Sequence, residues 1–298
     1  MKNEDFRKYY EINKRKIGEG WISDVYKGKN KQTNENIAIK IININKIRYN
    51  FKKYNFRDAN EEDIKSVIED FIKETENMIM IEKENKENIN TIKFIDCFKS
   101  DKELAMIMEL CDDNLMNFLI KRNSSFNSNE IYEILNQLNN TFRILVKNKI
   151  VHRDLKLENI LVKFENKEKT KFTLKLTDYE VCKKLKTFTE KCSGRVGTLK
   201  YMAPEILQGD KYGRECDLWS LGVIIYILFF KEFPFDGETD EKLIEQINTN
   251  NDNKVIKKTG NLCLDDLIDK LLKKDPMKRL TWKQYFNHPF FKNSRFIL

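Results

Sequence analysis

The sequence predicts an α+β protein with a strand-rich first third and a mainly helical remainder. Short apolar runs punctuated by Gly, Asn and Lys fill residues 12–45, whereas three/four apolar spacing prevails after Cys111. One long helical pattern, residues 59–82, interrupts the strands.

Taken in order, Ile12–Gly18, Asp24–Gly28 and Asn36–Ile42 read as three strands joined by turns. The stretch Lys46–Arg57 mixes Lys46, Arg48, Lys52, Lys53 and Arg57 with Tyr49, Phe51, Tyr54 and Phe56. It reads as an exposed insertion whose aromatics fold back onto the neighbouring surface; a docking or membrane-contact patch is the sharper alternative. Ile64, Val67, Ile68, Phe71, Ile72, Thr75, Met78 and Ile79 recur at helical spacing over 59–82. Two more strands follow near Ile89–Phe98 and Leu104–Glu109. Helical spacing then marks 130–149, 215–230, 239–249 and 264–273. Two β-like runs, Ile160–Val162 and Thr173–Leu176, flank the turn-rich Lys163–Lys171.

The bulk numbers narrow the function classes. The chain has 298 residues, 40% of them hydrophobic and 34% charged, an ordinary globular composition. The net charge of +8 comes from Lys spread along the whole chain, which describes a solvated surface better than a nucleic-acid patch. No nucleic-acid partner is expected. The six cysteines lie far apart without zinc spacing, so free thiols are expected. MKNEDFRKYY lacks the apolar core of a signal peptide. Leu221–Phe230 is too short for a membrane span and carries Gly222. A cytoplasmic or nuclear protein is the expectation; the oligomeric state stays open.

The chemistry-bearing residues begin with Ile17-Gly18-Glu19-Gly20-Trp21-Ile22-Ser23-Asp24-Val25, set between two predicted strands. Glycines let backbone approach phosphate without a side chain in the way. A lone G-x-G is weak, and Ser23 stands where a third glycine would complete the pattern. Because a strand follows, not a helix, a dinucleotide-binding turn is disfavoured. Lys40 lies in the apolar run Ile37–Ile42. It is either an edge-strand lysine in solvent or a lysine that holds phosphates and pairs with a carboxylate on the helix. Glu74 is in phase with the Val67, Phe71, Met78 and Ile81 stripe, while Glu76 fits simple spacing; helical phase favours Glu74.

The string His152-Arg153-Asp154-Leu155-Lys156-Leu157-Glu158-Asn159 is the most specific signal, and one of the chain's two histidines falls in it. Asp154 can accept a proton from an incoming hydroxyl, Lys156 can neutralise a transferring phosphoryl group, and Asn159 offers a hard oxygen to magnesium. Asp178-Tyr179-Glu180 supplies a second candidate metal ligand in Asp178. Gly197-Thr198, Ala203-Pro204-Glu205, Asp217–Gly222 and Asp275-Pro276-Met277-Lys278-Arg279-Leu280 follow, with Glu205 expected to pair with Arg279.

In this order, from residue 17 to residue 291, the motifs resemble the eukaryotic protein kinase catalytic domain of Ser/Thr type. The C-terminal Asp-Pro-x-x-Arg-Leu-Thr…His-Pro-Phe-Phe run is most similar to the calcium/calmodulin-dependent and Unc-51-like groups. The resemblance implies a bilobal fold spanning residues 1–298. Its small antiparallel β lobe with one long helix would take residues 1–108, its hinge 109–111, and its larger mainly α lobe 112–298. It implies ATP and Mg2+ as ligands and protein substrates as partners. Met108 would be the gatekeeper, Glu109 and Cys111 would present backbone groups to adenine, and Val25, Ala38 and Leu161 would sandwich the base. Asp154 and Lys156 would be catalytic, and Asn159 and Asp178 would hold the metal. Little room is left for a regulatory tail.

Arg153 before the catalytic Asp implies control by a phosphate that an upstream kinase places on the following segment, on Ser193 or Thr189, with Thr187 as a further candidate. Glu180 departs from the family's Asp-Phe-Gly and is the only residue favouring the rival function, a nucleotide-binding pseudokinase scaffold. A lipid or small-molecule kinase is opposed by Ala203-Pro204-Glu205.

Overall fold

The computed structural model describes residues 1–55, 57–84, 89–249 and 257–292. The chain divides into two compact units, Met1–Asp112 and Asp113–Leu298.

The first unit is a five-stranded antiparallel sheet in the order β1-β2-β3-β5-β4. Its strands are β1 (Tyr10–Glu19), β2 (Ser23–Asn30), β3 (Asn36–Asn43), β4 (Phe94–Lys99) and β5 (Glu103–Glu109). The isoleucine-rich β3 is buried along most of its length, so both of its faces are covered. Ile37, Ile39 and Ile41 pack with Phe6, Tyr10, Phe98 and Ile107 on one side. The alternate residues Ala38, Lys40 and Ile42 therefore face the other. Strand β1 shifts register between Ile12 and Lys16. Gly28 sits opposite Ile12, where a Cβ would come within 2.5 Å of the Glu11 carbonyl, so the close approach requires glycine.

Helix α1 (Ile44–Asn55) occupies most of the stretch expected to be an insertion. The Asn43 side chain accepts from the Asn45 N–H (2.8 Å) at its start, and Ile47 and Asn50 are buried one turn apart. Tyr49 remains exposed. Phe56 and the side chain of Tyr54 lie outside the described residues. Helix α2 (Glu61–Glu84) starts where Asn60 and Asp63 bond each other's backbone N–H reciprocally, both at 2.8 Å, and three acidic residues, Glu61, Glu62 and Asp63, fill its first turn. The strand expected from Ile89 begins only at Phe94. Its partner β5 ends at Glu109, which already bonds Lys93 through both backbone and side chain.

The second unit is mainly helical. It contains α3 (Leu115–Lys121), α4 (Ser128–Lys147), α5 (Pro204–Leu207), α6 (Cys216–Phe230), α7 (Asp240–Thr249), α8 (Leu262–Leu271), α9 (Trp282–Phe286) and α10 (Pro289–Lys292). Asn127 and Glu130 form a capping box at α4. Its inward residues Ile131, Leu135, Leu138, Phe142 and Leu145 build the core. Helix α6 is buried nearly all round, and a Cβ on Gly222 would lie 2.9 Å from Leu271 and Leu272 side-chain atoms, so glycine allows its close approach to α8. Two small sheets complete the unit. One joins β6 (Asp113–Asn114), β8 (Ile160–Phe164) and β9 (Phe172–Leu176); the other pairs β7 (Ile150–Val151) with β10 (Lys183–Lys184). Among the described residues no helix is long and apolar enough to cross a membrane, all six cysteines are free thiols, and no cluster of His, Cys, Asp and Glu has metal-binding geometry.

Candidate functional site

In the first unit the ladder register assembles one functional face. Val25 pairs with Lys40 across β2 and β3, and Ala38 pairs with Met108 across β3 and β5. Directly paired residues point to the same side of a sheet, and so do residues two apart. Val25, Ala38, Lys40 and Met108 therefore share the face of β3 opposite the Ile39 cluster. Lys40 Nζ donates to both Glu74 carboxylate oxygens at 2.9 Å. Both side chains are nearly inaccessible to solvent, as a desolvated ion pair with good geometry must be. Glu76 is exposed on α2, so Glu74 is the lysine's partner.

The turn after β1 is closed by the Gly20 N–H donating to the Ser23 carbonyl (2.7 Å). Ile22 and Ser23 are buried, while Ile17, Glu19 and Trp21 are exposed. A Cβ on Gly20 would sit 2.9 Å from Ser23 Oγ. Asp24 carries Lys46 and Lys16 at 2.7 and 3.0 Å; burial opposes its ionisation, but those lysines prevail and hold its carboxyl below the usual range. Glu109 and Cys111 are half-buried.

In the second unit the site is built around residues 152–159. Asp217, buried at the start of α6, accepts the backbone N–H groups of His152 (2.8 Å, Oδ2) and Arg153 (2.8 Å, Oδ1). Burial raises the Asp217 carboxyl above its ordinary value, and these donors, with His152 and Arg153 nearby, oppose the rise. The clamp holds Arg153 at φ 69°, a left-handed conformation that costs a non-glycine residue energy. The buried His152 ring has Nε2 3.3 Å from the Thr177 carbonyl, and Nδ1 accepts from the Asp154 N–H at 3.4 Å.

Asp154 is thereby aimed, and its neighbours fix it. Asn159 Nδ2 donates to the Asp154 carbonyl (2.9 Å) and to Oδ2 (3.1 Å). Lys156 Nζ lies 2.7 Å from Oδ2. The Thr198 hydroxyl donates to Oδ1 (2.8 Å) and accepts from Lys156 Nζ (2.8 Å). The sequence singled out Thr198 as part of the Gly197-Thr198 pair, but not its bonds to Asp154 and Lys156. The preceding Gly197 was the available signal, because a Gly-Thr pair late in the loop marks a tight approach of backbone to the catalytic loop. Gly197 sits at φ 109°, and a Cβ there would lie 2.5 Å from the Arg153 carbonyl.

Asp178 is tied to the same loop through its neighbour: the Thr177 N–H donates to the Asn159 carbonyl (3.0 Å). Asp178 has φ 65°. Tyr179 is fully buried, its hydroxyl donates to the Leu176 carbonyl (3.3 Å), and its ring lies 5.5 Å from that of His152. Glu180 is not among the described residues at positive φ, so this backbone does not call for glycine there. Leu161 is half-buried on β8.

Downstream, Arg153 Nε donates to the Val181 carbonyl (2.6 Å) and Nη1 to the Tyr212 hydroxyl (3.4 Å), which donates to the Gly194 carbonyl (3.0 Å). Ser193, Thr187 and Thr189 are exposed in this segment. Glu205 and Arg279 form a buried two-pronged pair at 2.8 and 2.9 Å, as expected.

The chain is 30% identical to calcium-dependent protein kinase 5 of Plasmodium falciparum, over 98% of this chain and 47% of that protein. It is also 30% identical to myosin light chain kinase A of Dictyostelium discoideum, over 97% of this chain and 90% of that one. The serine/threonine-protein kinase ATG1c of Arabidopsis thaliana is 28% identical over 93% of this chain and 34% of its own length. The chain spans 39–47% of the length of several such relatives. The protein kinase domain profile matches residues 10–291, and the chain belongs to the protein kinase domain family.

Proposed function

We propose that this chain transfers the γ-phosphate of ATP to Ser or Thr hydroxyls of proteins. The observation that carries the reading is the closed cluster in which Thr198, Lys156 and Asn159 all bond Asp154. Phosphoryl transfer asks the protein for position and charge neutralisation more than for covalent chemistry. The acceptor hydroxyl gives its proton to the Asp154 carboxylate as its oxygen bonds to the γ-phosphorus. The bond from that phosphorus to the β–γ bridging oxygen breaks, and ADP leaves. Lys156, anchored on Asp154 and Thr198, neutralises charge on the phosphoryl oxygens in flight. In the first unit, the Lys40 ammonium, oriented by Glu74, binds the phosphates, and Ala38, Val25 and Met108 present an apolar face to adenine.

Asn159 and Asp178 are the residues that would hold Mg2+, which supplies further charge neutralisation on the phosphates. The donor set fits. Asn159 uses its amide N–H groups on Asp154, which leaves its oxygen as the ligand atom. A hard ion that keeps water and phosphate ligands needs few protein oxygens. The Ser/Thr preference is supported by Lys156 and Thr198 and by the name of the Arabidopsis relative, a serine/threonine-protein kinase.

The reading extends to regulation by an upstream kinase that phosphorylates Ser193 or Thr189. It is supported by Arg153, whose guanidinium reaches the Gly194 backbone through Tyr212. Turnover of ATP on a Ser/Thr peptide array, with Asp154→Asn as control and mass spectrometry of the 187–193 segment, tests both parts. Tight nucleotide binding without transfer would favour a scaffold, and full activity with an unmodified segment would remove the switch.

A further inference from the structure

Helix α1 grips the phosphate-facing loop. Lys46 Nζ donates to the Gly20 carbonyl (3.0 Å), the Ser23 carbonyl (3.1 Å) and Asp24 Oδ1 (2.7 Å). An ammonium has three N–H donors, so each finds a partner within the loop. One turn on, Asn50 donates from Nδ2 to the Trp21 carbonyl. Asn50 is buried and shares its helix face with the fully buried Ile47. Phe51 packs on Trp21 with ring centroids 5.4 Å apart. These contacts fall on Gly20, Trp21, Ser23 and Asp24, four of the five residues at the tip of the loop.

Two physical consequences follow. A glycine-containing loop pays conformational entropy when it closes on a ligand, and tying its tip beforehand reduces that loss on binding. Backbone carbonyls also repel phosphate oxygens. Bonding three of them to Lys46 and Asn50 commits those acceptors to the helix and leaves amide donors as the groups a phosphate meets. Lys46 is not an ordinary surface ion pair, because two of its acceptors are backbone atoms of fixed geometry and its side chain is only 20% exposed.

We propose that Lys46 and Asn50 are positioning residues for the ATP phosphates, acting through the loop Gly18–Val25. The proposal deepens the kinase reading above and rests on it for the identity of the ligand. It gives the 46–57 stretch a role in nucleotide affinity.

The experiment uses the full chain and the variants Lys46→Met, Lys46→Arg and Asn50→Ala. Amide hydrogen exchange of residues 18–25 is read without nucleotide, and kcat and KM are read for Mg-ATP and for a peptide substrate. Lys46→Met is expected to speed exchange in the loop and to raise the KM for ATP about three- to tenfold, the effect of roughly one lost ordinary hydrogen bond. Peptide KM and kcat should stay within about twofold, with Lys46→Arg intermediate. Asn50→Ala should repeat the pattern and serves if the methionine variant does not fold. Unchanged exchange, or faster exchange with an unchanged KM for ATP, overturns the proposal. A wild-type chain that neither binds nor turns over ATP would instead remove the kinase reading, while the exchange data still report whether α1 holds the loop.

Discussion

The Thr198 hydroxyl stands between Asp154 and Lys156, donating to one and accepting from the other, both at 2.8 Å. The two Asp154 oxygens are thereby distinguished: Oδ1 meets Thr198, and Oδ2 meets Lys156 and Asn159. A carboxylate held at both oxygens has lost most of its freedom to rotate before any substrate arrives.

Thr198→Ala removes one of those restraints and also the acceptor that orients Lys156. It is expected to lower kcat about tenfold or more while the KM for ATP stays within about twofold, since a misplaced catalytic group costs rate before ground-state binding. Thr198→Ser keeps the hydroxyl and should recover most of the rate. Steady-state kinetics on one peptide decides it; an alanine variant with wild-type kcat would make Thr198 merely structural.

Gly197 makes the neighbouring prediction. A Cβ there meets the Arg153 carbonyl at 2.5 Å, and the backbone sits at φ 109°. Arg153 cannot move aside cheaply, because Asp217 holds its N–H and that of His152. Gly197→Ala is expected to cost about 1–3 kcal/mol of stability, the scale of a residue forced into a disfavoured backbone region. It should also abolish transfer while nucleotide still binds. Denaturant unfolding and nucleotide titration on the same preparation check both, and a variant with wild-type stability and rate would refute the steric argument.

How far the sequence foretold this depends on what each residue needed. Lys40, Asp154, Asn159 and Asp178 stood out in the sequence as candidates because phosphoryl transfer demands particular residue types at particular spacing. Glu74 was legible because an α-helix cannot change its phase, and Lys40 meets it while Glu76 faces solvent. The pairing of Glu205 with Arg279 was also foreseen, although the residues lie far apart in the chain. Helix α1 was not foreseen, because its apolar content is small and its buried positions are Ile47 and the polar Asn50. Propensity alone could not separate such a segment from an exposed insertion; its contacts with the loop decide its structure. Thr198 was named with Gly197, but its contact with Asp154 was not foreseen. That contact depends on the close approach of Gly197, at φ 109°, to the Arg153 carbonyl, which no local periodicity records.

Arg279 and Glu205 should respond unequally to mutation. Besides the carboxylate, the guanidinium donates to the carbonyls of Lys273 (3.1 Å), Lys274 (3.4 Å) and Glu215 (3.0 Å), and it lies 5.2 Å from the Trp219 ring centre. Arg279→Leu strands three carbonyls and a buried carboxylate, so a loss of about 3–5 kcal/mol is expected. Glu205→Gln removes the charge but keeps an acceptor and should cost less. Denaturant midpoints for the two variants decide it, and equal losses would contradict the asymmetry.

His288 gives the fold a pH dependence of definite sign. It is buried, its Nε2 lies 3.0 Å from Asp266 Oδ2, and its Nδ1 accepts from the Phe290 N–H at 3.3 Å. Burial is the largest influence and lowers its pKa below the ordinary 6.5; Asp266 pulls upward, and Lys270 adds to the lowering. A second proton would also occupy the nitrogen that accepts from Phe290. The folded state therefore binds this proton less readily than the unfolded chain. The associated stability is fully present above about pH 6.5 and is lost as the pH falls from there through the folded-state value. Asp266 is shifted down as well: burial opposes this, but Lys270 and His288 outweigh it, so its own contribution is lost only at far lower pH. Thermal unfolding between pH 7.5 and 5 should thus show a falling midpoint for the wild type. His288→Gln should unfold at a lower temperature at pH 7.5 but with a flatter dependence over the same interval. Parallel profiles for the two proteins would show that His288 is not the group being titrated.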